Sequence, residues 1–172
     1  EQNLSAQGID GVLSQCEDFC KETRRDAMTL DLSKLGFVDP YGMTMLCLLG
    51  RKLSQQFWDI DCVLPANPDI QSYLTRMGVF RFLKEGVSLS TEPEMGRSRI
   101  ENESLIEVAE ISARSDVESA LTLVESRVES ILERELNYAI REITWFKNVI
   151  AELCHNIVDH SGDRGYLAAQ RY

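Results

Sequence analysis

Several sequence features from which a function can be inferred directly are scarce or missing in this 172-residue chain. Basic residues are few, with 18 Lys and Arg against 28 Asp and Glu, and the longest basic run is the short segment Lys21–Arg25. Because neutralising phosphates requires clustered Lys and Arg, this balance argues against a nucleic-acid partner. No apolar run approaches the roughly 18 residues of a membrane span, and no signal-peptide pattern is visible. These absences predict a soluble cytoplasmic protein.

The five cysteines also lack a functional pattern, because they form no CxxC pair and most stand among apolar residues. This usage predicts reduced core cysteines. Cys16 and Cys20 are four residues apart, and with Cys154 and the two histidines they could in principle form a metal site. Those ligands are too scattered along the chain for the spacing of a zinc site, so we do not predict one.

What is present is the composition of an ordinary globular protein, 44% apolar and 27% charged. Its length fits one full-size domain or two small ones. Residues 87–103 are mostly polar and contain Pro93 and Gly96, so they are predicted to be a linker. The predicted domains are therefore residues 1–86 and residues 104–172.

The first domain is predicted to be α/β, with a mixed sheet and helices. Asn67 and Pro68 have the residue types of a helix N-cap and first helical position, and Gly78 is the predicted C-cap. The predicted elements are a helix at 9–25, a strand at 27–32, a loop at 33–42, a helix at 43–56, a strand at 58–64 and a helix from 68.

Residues 27–83 carry a resemblance to a known family. The matching segments are Leu30–Leu32, Phe37–Asp39, Gly42 and Leu74–Phe80, in the order strand, turn, buried helix, strand and helix. This pattern resembles a STAS domain, the module of anti-sigma-factor antagonists. The N-terminal strands expected of that family are not visible, so its front is predicted to be shortened or missing.

The turn Asp39–Gly42 is the candidate regulatory loop of this domain. We expect its backbone N–H groups to lie at the start of the Met43 helix, where they attract anions. In antagonists of the anti-sigma type, the residue after this Asp is a serine that the partner kinase phosphorylates. Pro40 has no hydroxyl, so the resemblance implies that this switch cannot operate here. Tyr41 could be modified, although packing of a loop tyrosine on its own domain is favoured.

The second domain is predicted to be an α+β segment of one strand, two helices and a further strand. The strands are expected at 105–111 and 165–172, and the helices at 115–135 and from Asn137 to His160. The second helix carries more aromatic bulk than one buried face needs, including Tyr138, Trp145 and Phe146. We expect some of these rings to pack on another part of the protein.

The end of that helix carries the candidate catalytic and binding residues. Glu152, Asn156, Asp159 and His160 fall at i, i+4, i+7 and i+8, which places them along one side of an α-helix. Asn offers a neutral oxygen to Mg²⁺, and Glu can orient a water or accept a proton. An exposed polar face explains the same spacing without any function.

The segment Glu-x-x-x-Asn-x-x-x-His also resembles the N-box of GHKL-type ATPases, in particular the anti-sigma serine kinases. The resemblance implies ATP and Mg²⁺ as cofactors, with Asn156 on the metal and Glu152 as the catalytic carboxylate. It places Asp159 and His160 near the nucleotide. The glycine-rich boxes of that family should follow the last strand, and they are absent. We therefore expect this chain, which starts at Glu1, to be a fragment that alone neither hydrolyses ATP nor binds it with useful affinity.

Together these features favour a bacterial-type regulatory signalling protein that works by protein–protein interaction, as in partner switching. Its partner would be a kinase, a sigma factor or an anti-sigma regulator. One alternative is an ATPase or protein-serine kinase whose catalytic domain is incomplete in this chain. A second alternative is a non-catalytic structural or dimerisation domain, and a homodimer stays open in each case.

Overall fold

The computed structural model forms a mixed α/β protein of two compact units, Glu1–Arg99 and Ile100–Tyr172. The structure describes residues 2–5, 8, 10–14, 27–57, 59–93, 105–128, 132–133 and 137–170. In those segments no helix has the length and apolar character needed to cross a membrane.

Among its described residues, the first unit contains two small groups of parallel strands. Strand β1 (Gln2–Leu4) pairs with β3 (Leu35–Val38), while β2 (Ala27–Asp31) pairs with β4 (Asp59–Val63), which also pairs with β5 (Ser88–Leu89). The strands predicted at 27–32 and 58–64 are confirmed. In β4 the side chains alternate, because Ile60 and Cys62 are buried whereas Asp59 and Asp61 are exposed.

Three short strands correct the sequence prediction for this unit. The predicted loop 33–42 contains β3, and β1 precedes the predicted first helix. Strand β5 lies inside the predicted linker, with Val87 buried just before it, so the first unit extends beyond residue 86. Strands of two to four residues are too short to show a period-two pattern, and long-range pairing defines them instead.

In the described part of the first unit, four helices accompany these strands. They are α1 (residues 10–14), α2 (Pro40–Ser54), α3 (Pro68–Arg76) and α4 (Val79–Leu83). The predicted cap of α3 is confirmed, since Asn67 Oδ1 accepts a hydrogen bond of 2.9 Å from the Asp69 N–H. Gly78 has a φ of 76° between α3 and α4, as a glycine at a helix end allows. Most of the helix predicted at 9–25 lies outside the described residues.

The second unit pairs β6 (Leu105–Ile111) with β7 (Gly165–Gln170) in antiparallel fashion. Helix α5 (Arg114–Leu123) continues as a π-helical segment, Val124–Val128, and α6 (Ile140–Asn156) continues as another, Ile157–Ser161. The strands and helices predicted for this region are confirmed where they are described. A buried cluster of Ile111, Val117, Ala120 and Cys154 joins the strands to both helices.

Candidate functional site

The Asp39 corner of the first unit is built around a helix N-cap. Asp39 has an extended backbone, and its Oδ1 accepts a 2.7 Å hydrogen bond from the Gly42 N–H. Pro40 occupies the first helical position, where a missing N–H costs nothing. The helix therefore begins at Pro40 and not at Met43 as predicted. The amide of Gly42, which the sequence predicts to attract an external anion, is instead bound by the carboxylate of Asp39.

Strand β1 closes this corner from outside. The Asp39 N–H donates a 3.1 Å hydrogen bond to the Leu4 carbonyl oxygen. A Cβ added at Gly42 would collide with that same oxygen. Gly42 is therefore required by the close approach of β1 to the first turn of α2. Its backbone conformation does not demand a glycine, because the described glycines with a left-handed φ are Gly78 and Gly162.

Two aromatic side chains next to Asp39 are partly exposed. Phe37 is 43% exposed and Tyr41 is 47% exposed. Within the described part of the first unit, these are the large hydrophobic side chains that remain exposed. The sequence favours packing of Tyr41 on its own domain, whereas the structure leaves nearly half of it open. The corner thus carries two partly exposed rings next to a capped helix start.

The second candidate site lies at the C-terminal end of α6. Glu152 and Asn156 are both exposed and stand one helical turn apart. Within the part of the chain that the structure describes, neither side chain forms a hydrogen bond or an ion pair. A free carboxylate and a free amide on adjacent turns have the oxygen donors that Mg²⁺ accepts.

Asp159 and His160 follow this pair beyond the regular α-helix. Both lie in the π-helical segment Ile157–Ser161. The wider i→i+5 turn of a π-helix rotates each residue through a smaller angle, so the i+7 and i+8 positions shift around the axis. Asp159 and His160 are both exposed, and Asp159 Oδ1 lies 3.4 Å from Arg114 Nη2 at the start of α5. The structure thus places Glu152 and Asn156 on adjacent turns of regular α-helix, and Asp159 and His160 in the π-helical segment that follows.

In the turn after this segment, the Ser161 hydroxyl is hydrogen-bonded to nearby backbone groups. Ser161 Oγ donates to the Ile157 carbonyl oxygen and lies 2.6 Å from it, and Gly162 has a φ of 65°. A Cβ at Gly165 would meet the Ile157 side chain at 2.6 Å. These glycines serve a helix end and a tight packing contact.

No soft-metal site involves the described cysteines. Cys47, Cys62 and Cys154 are free and buried, and desolvation raises the pKa of Cys47 and of Cys62 to about 12. The three cysteines lie in the core, as the sequence predicts. Across the segments the structure describes, no group of three His, Cys, Asp or Glu side chains could hold a metal ion. Cys16 and Cys20 lie outside the described residues.

Sequence reasoning missed two features of these sites. The contact of Leu4 with the Asp39 corner has no local signal, because β1 is far away in sequence. The capping of α2 by Asp39 did have a local signal, since Asp before Pro marks a helix start.

Comparisons with models of known protein families, with curated proteins and with solved structures found no match for this chain.

Proposed function

We propose that this chain is a regulatory signalling protein of the partner-switching type, in which a STAS-like unit is joined to a kinase-like segment. The STAS-like unit acts by binding a protein partner, either a kinase or a regulator of the sigma or anti-sigma type. The observation that carries this proposal is the pair of exposed rings, Phe37 and Tyr41, on the corner that the STAS resemblance singles out.

Two physical features suit this corner to binding. Aromatic side chains are enriched in protein interfaces because they bury a large area with few rotatable bonds. The backbone between them is held by the Asp39 cap and by the Leu4 contact, so little conformational freedom is lost on docking. Since Pro40 carries no hydroxyl, the partner would not be released by phosphorylation at that position.

A photo-crosslinking residue in place of Tyr41 tests the proposal in cells. The matched control carries the same residue in place of Lys52, which is exposed on the far end of the same helix. A specific adduct of a kinase or sigma-type regulator at position 41, absent at position 52, supports the proposal. Purified binding should then weaken at least tenfold in Tyr41→Ala, in keeping with an interface hot spot. Equal labelling at both positions contradicts it.

A second candidate function is the binding of Mg·ATP by the kinase-like segment. It is favoured by the free, exposed pair Glu152 and Asn156. The two side chains have suitable chemistry: the Asn156 amide oxygen would bind Mg²⁺, and the Glu152 carboxylate would accept a proton from a water. Bound ATP would supply the phosphoryl group that a kinase transfers to a protein or that an ATPase transfers to water.

Calorimetry with Mg·ATP separates the two candidates. We expect no binding of useful affinity by this chain alone, because a nucleotide site also needs backbone N–H groups around the phosphates. Micromolar binding that is lost in Asn156→Ala would instead establish the second candidate, while the crosslinking result at Tyr41 would remain independent of it.

A further inference from the structure

Exposed apolar side chains are concentrated on and beside α6. Of the six large hydrophobic side chains exposed in the described residues, four belong here: Tyr138 at 48%, Ile140 at 76%, Trp145 at 69% and Leu153 at 56%. Scattered exposed apolar residues are normal, but a group of them on one element marks an interaction surface.

Helical geometry divides α6 into two sides. Arg141, Trp145 and Val149 are four residues apart, and Glu152 and Leu153 continue the same side. We call these five residues the outer face. The opposite side packs in the core through residues that include Ile143 and Cys154. Ile140 is not on the outer face, because five residues place it about 140° around the helix from Trp145.

The outer face is also electrically asymmetric. Arg141 lies at its N-terminal end and Glu152 at its C-terminal end, and neither has an ion pair within the described residues. The other charged side chains of α6 near its middle and start are engaged: Lys147 pairs with Glu125 at 2.7 Å, and Glu142 accepts a hydrogen bond from the Ala139 N–H. The asymmetry makes the face complementary to an inverted copy of itself.

We propose that two copies of this chain associate through the outer face, with their α6 helices antiparallel about a two-fold axis. An axis at the level of Lys147 sets Trp145 of each copy on Val149 of the other. The same axis brings Arg141 beside Glu152 of the second copy, twice, because both lie on the same flank of the face. A parallel arrangement would place like charges at the same height. The interface is therefore isologous, as in most homodimers.

The size of the face sets the strength of this association. Seventeen residues make a helix about 26 Å long, and one side of it covers less than the ~800 Å² per partner of a standard interface. The dimer should be weak and dependent on concentration. Because Glu152 is buried in it, dimer formation and any ligand on the Glu152–Asn156 pair exclude one another.

Sedimentation equilibrium of the full chain over a wide concentration range tests the surface. We expect a monomer–dimer equilibrium whose association constant falls at least about tenfold in Trp145→Ala, since aromatic anchors dominate small interfaces. The matched control is Ile140→Ala, which removes an equally exposed side chain from the same helix but off the face and should change nothing. Far-UV circular dichroism verifies that each variant keeps its helices.

Charge reversal tests the antiparallel arrangement. Arg141→Glu and Glu152→Arg should each weaken the dimer, and the double variant should restore it to near the wild-type constant, because the reversed pair is again complementary. A chain that stays monomeric throughout, an Ile140→Ala effect as large as that of Trp145→Ala, or a double variant no stronger than the singles would each overturn the proposal.

Discussion

The Asp39 corner and the polar end of α6 both carry residues that a short motif singles out, yet their side chains are in opposite states. The Asp39 carboxylate is bound to the Gly42 N–H, and Gly42 is covered by the Leu4 backbone. Glu152 and Asn156 are exposed and free of bonds to the described residues. A carboxylate before a helix caps a free backbone N–H. Glu152 and Asn156 instead lie inside a helix that continues to Ser161, where the backbone N–H groups are already bonded.

The largest loss of stability is expected from a substitution at Gly42. We expect Gly42→Ala to lower the free energy of unfolding of the first unit by about 2–3 kcal/mol, because the new methyl group meets backbone that cannot rotate away. Gly165→Ala should cost less, since it meets the Ile157 side chain, which can change rotamer. The chain has two tryptophans, so urea unfolding in a Trp145→Phe background reports the first unit through Trp58. An unchanged midpoint would mean that β1 does not hold the corner closed.

The cap itself should have the next largest effect. Asp39→Ala should destabilise the first unit by about 1–2 kcal/mol, because the Gly42 N–H loses its acceptor, and Asp39→Asn should keep most of the stability. Asp59→Ala is the matched control, since Asp59 is exposed on β4. The same fluorescence-detected unfolding measures all three variants. Equal losses at positions 39 and 59 would contradict a structural role for the Asp39 carboxylate.

A smaller effect is expected at Asp116, where the second unit also uses a carboxylate at a helix start. Hydrogen bonds from Ser112, and then from Ala113, lower the pKa of Asp116 below its ordinary value of 3.8. A carboxyl whose pKa is lower in the folded state stabilises the fold above its unfolded pKa and loses that contribution as the pH falls through the folded pKa. Relative to Asp116→Asn, the wild type should be more stable at neutral pH by about 0.5 kcal/mol, since an exposed carboxylate is screened by solvent.

Native-state hydrogen exchange of the α5 amides measures this difference. The advantage of the wild type should be constant around neutral pH and should vanish in acid. An advantage that persists below the folded pKa would show that shape, and not charge, is what Asp116 contributes.

Local signals predicted the longer elements of the fold, and contacts between distant residues decided the rest. The alternating strands at 59–63 and 105–111 and the Asn67 cap are read from adjacent residues, so they were predictable. Strands β1, β3 and β5 were not, because pairing and not periodicity forms them. At the candidate sites, the predicted spacing of Glu152 and Asn156 holds since it lies within regular α-helix. The π-helical turn that carries Asp159 and His160 has no local signal in the sequence.

The smallest expected effect is on the stability of the free pair itself. Glu152→Gln should change the free energy of unfolding of the second unit by less than about 0.5 kcal/mol, as substitutions of exposed, unbonded side chains do. Asn156→Ala should be neutral or slightly stabilising, because alanine has the higher helix propensity. Ile143→Ala, at a position only 4% exposed on the core side of the same helix, should cost about 2–4 kcal/mol and shows that the measurement can detect a loss. Urea unfolding followed by far-UV circular dichroism compares the three variants. If either Glu152→Gln or Asn156→Ala were as costly as Asp39→Ala, that side chain would be structural and would not be free for a ligand or a second copy.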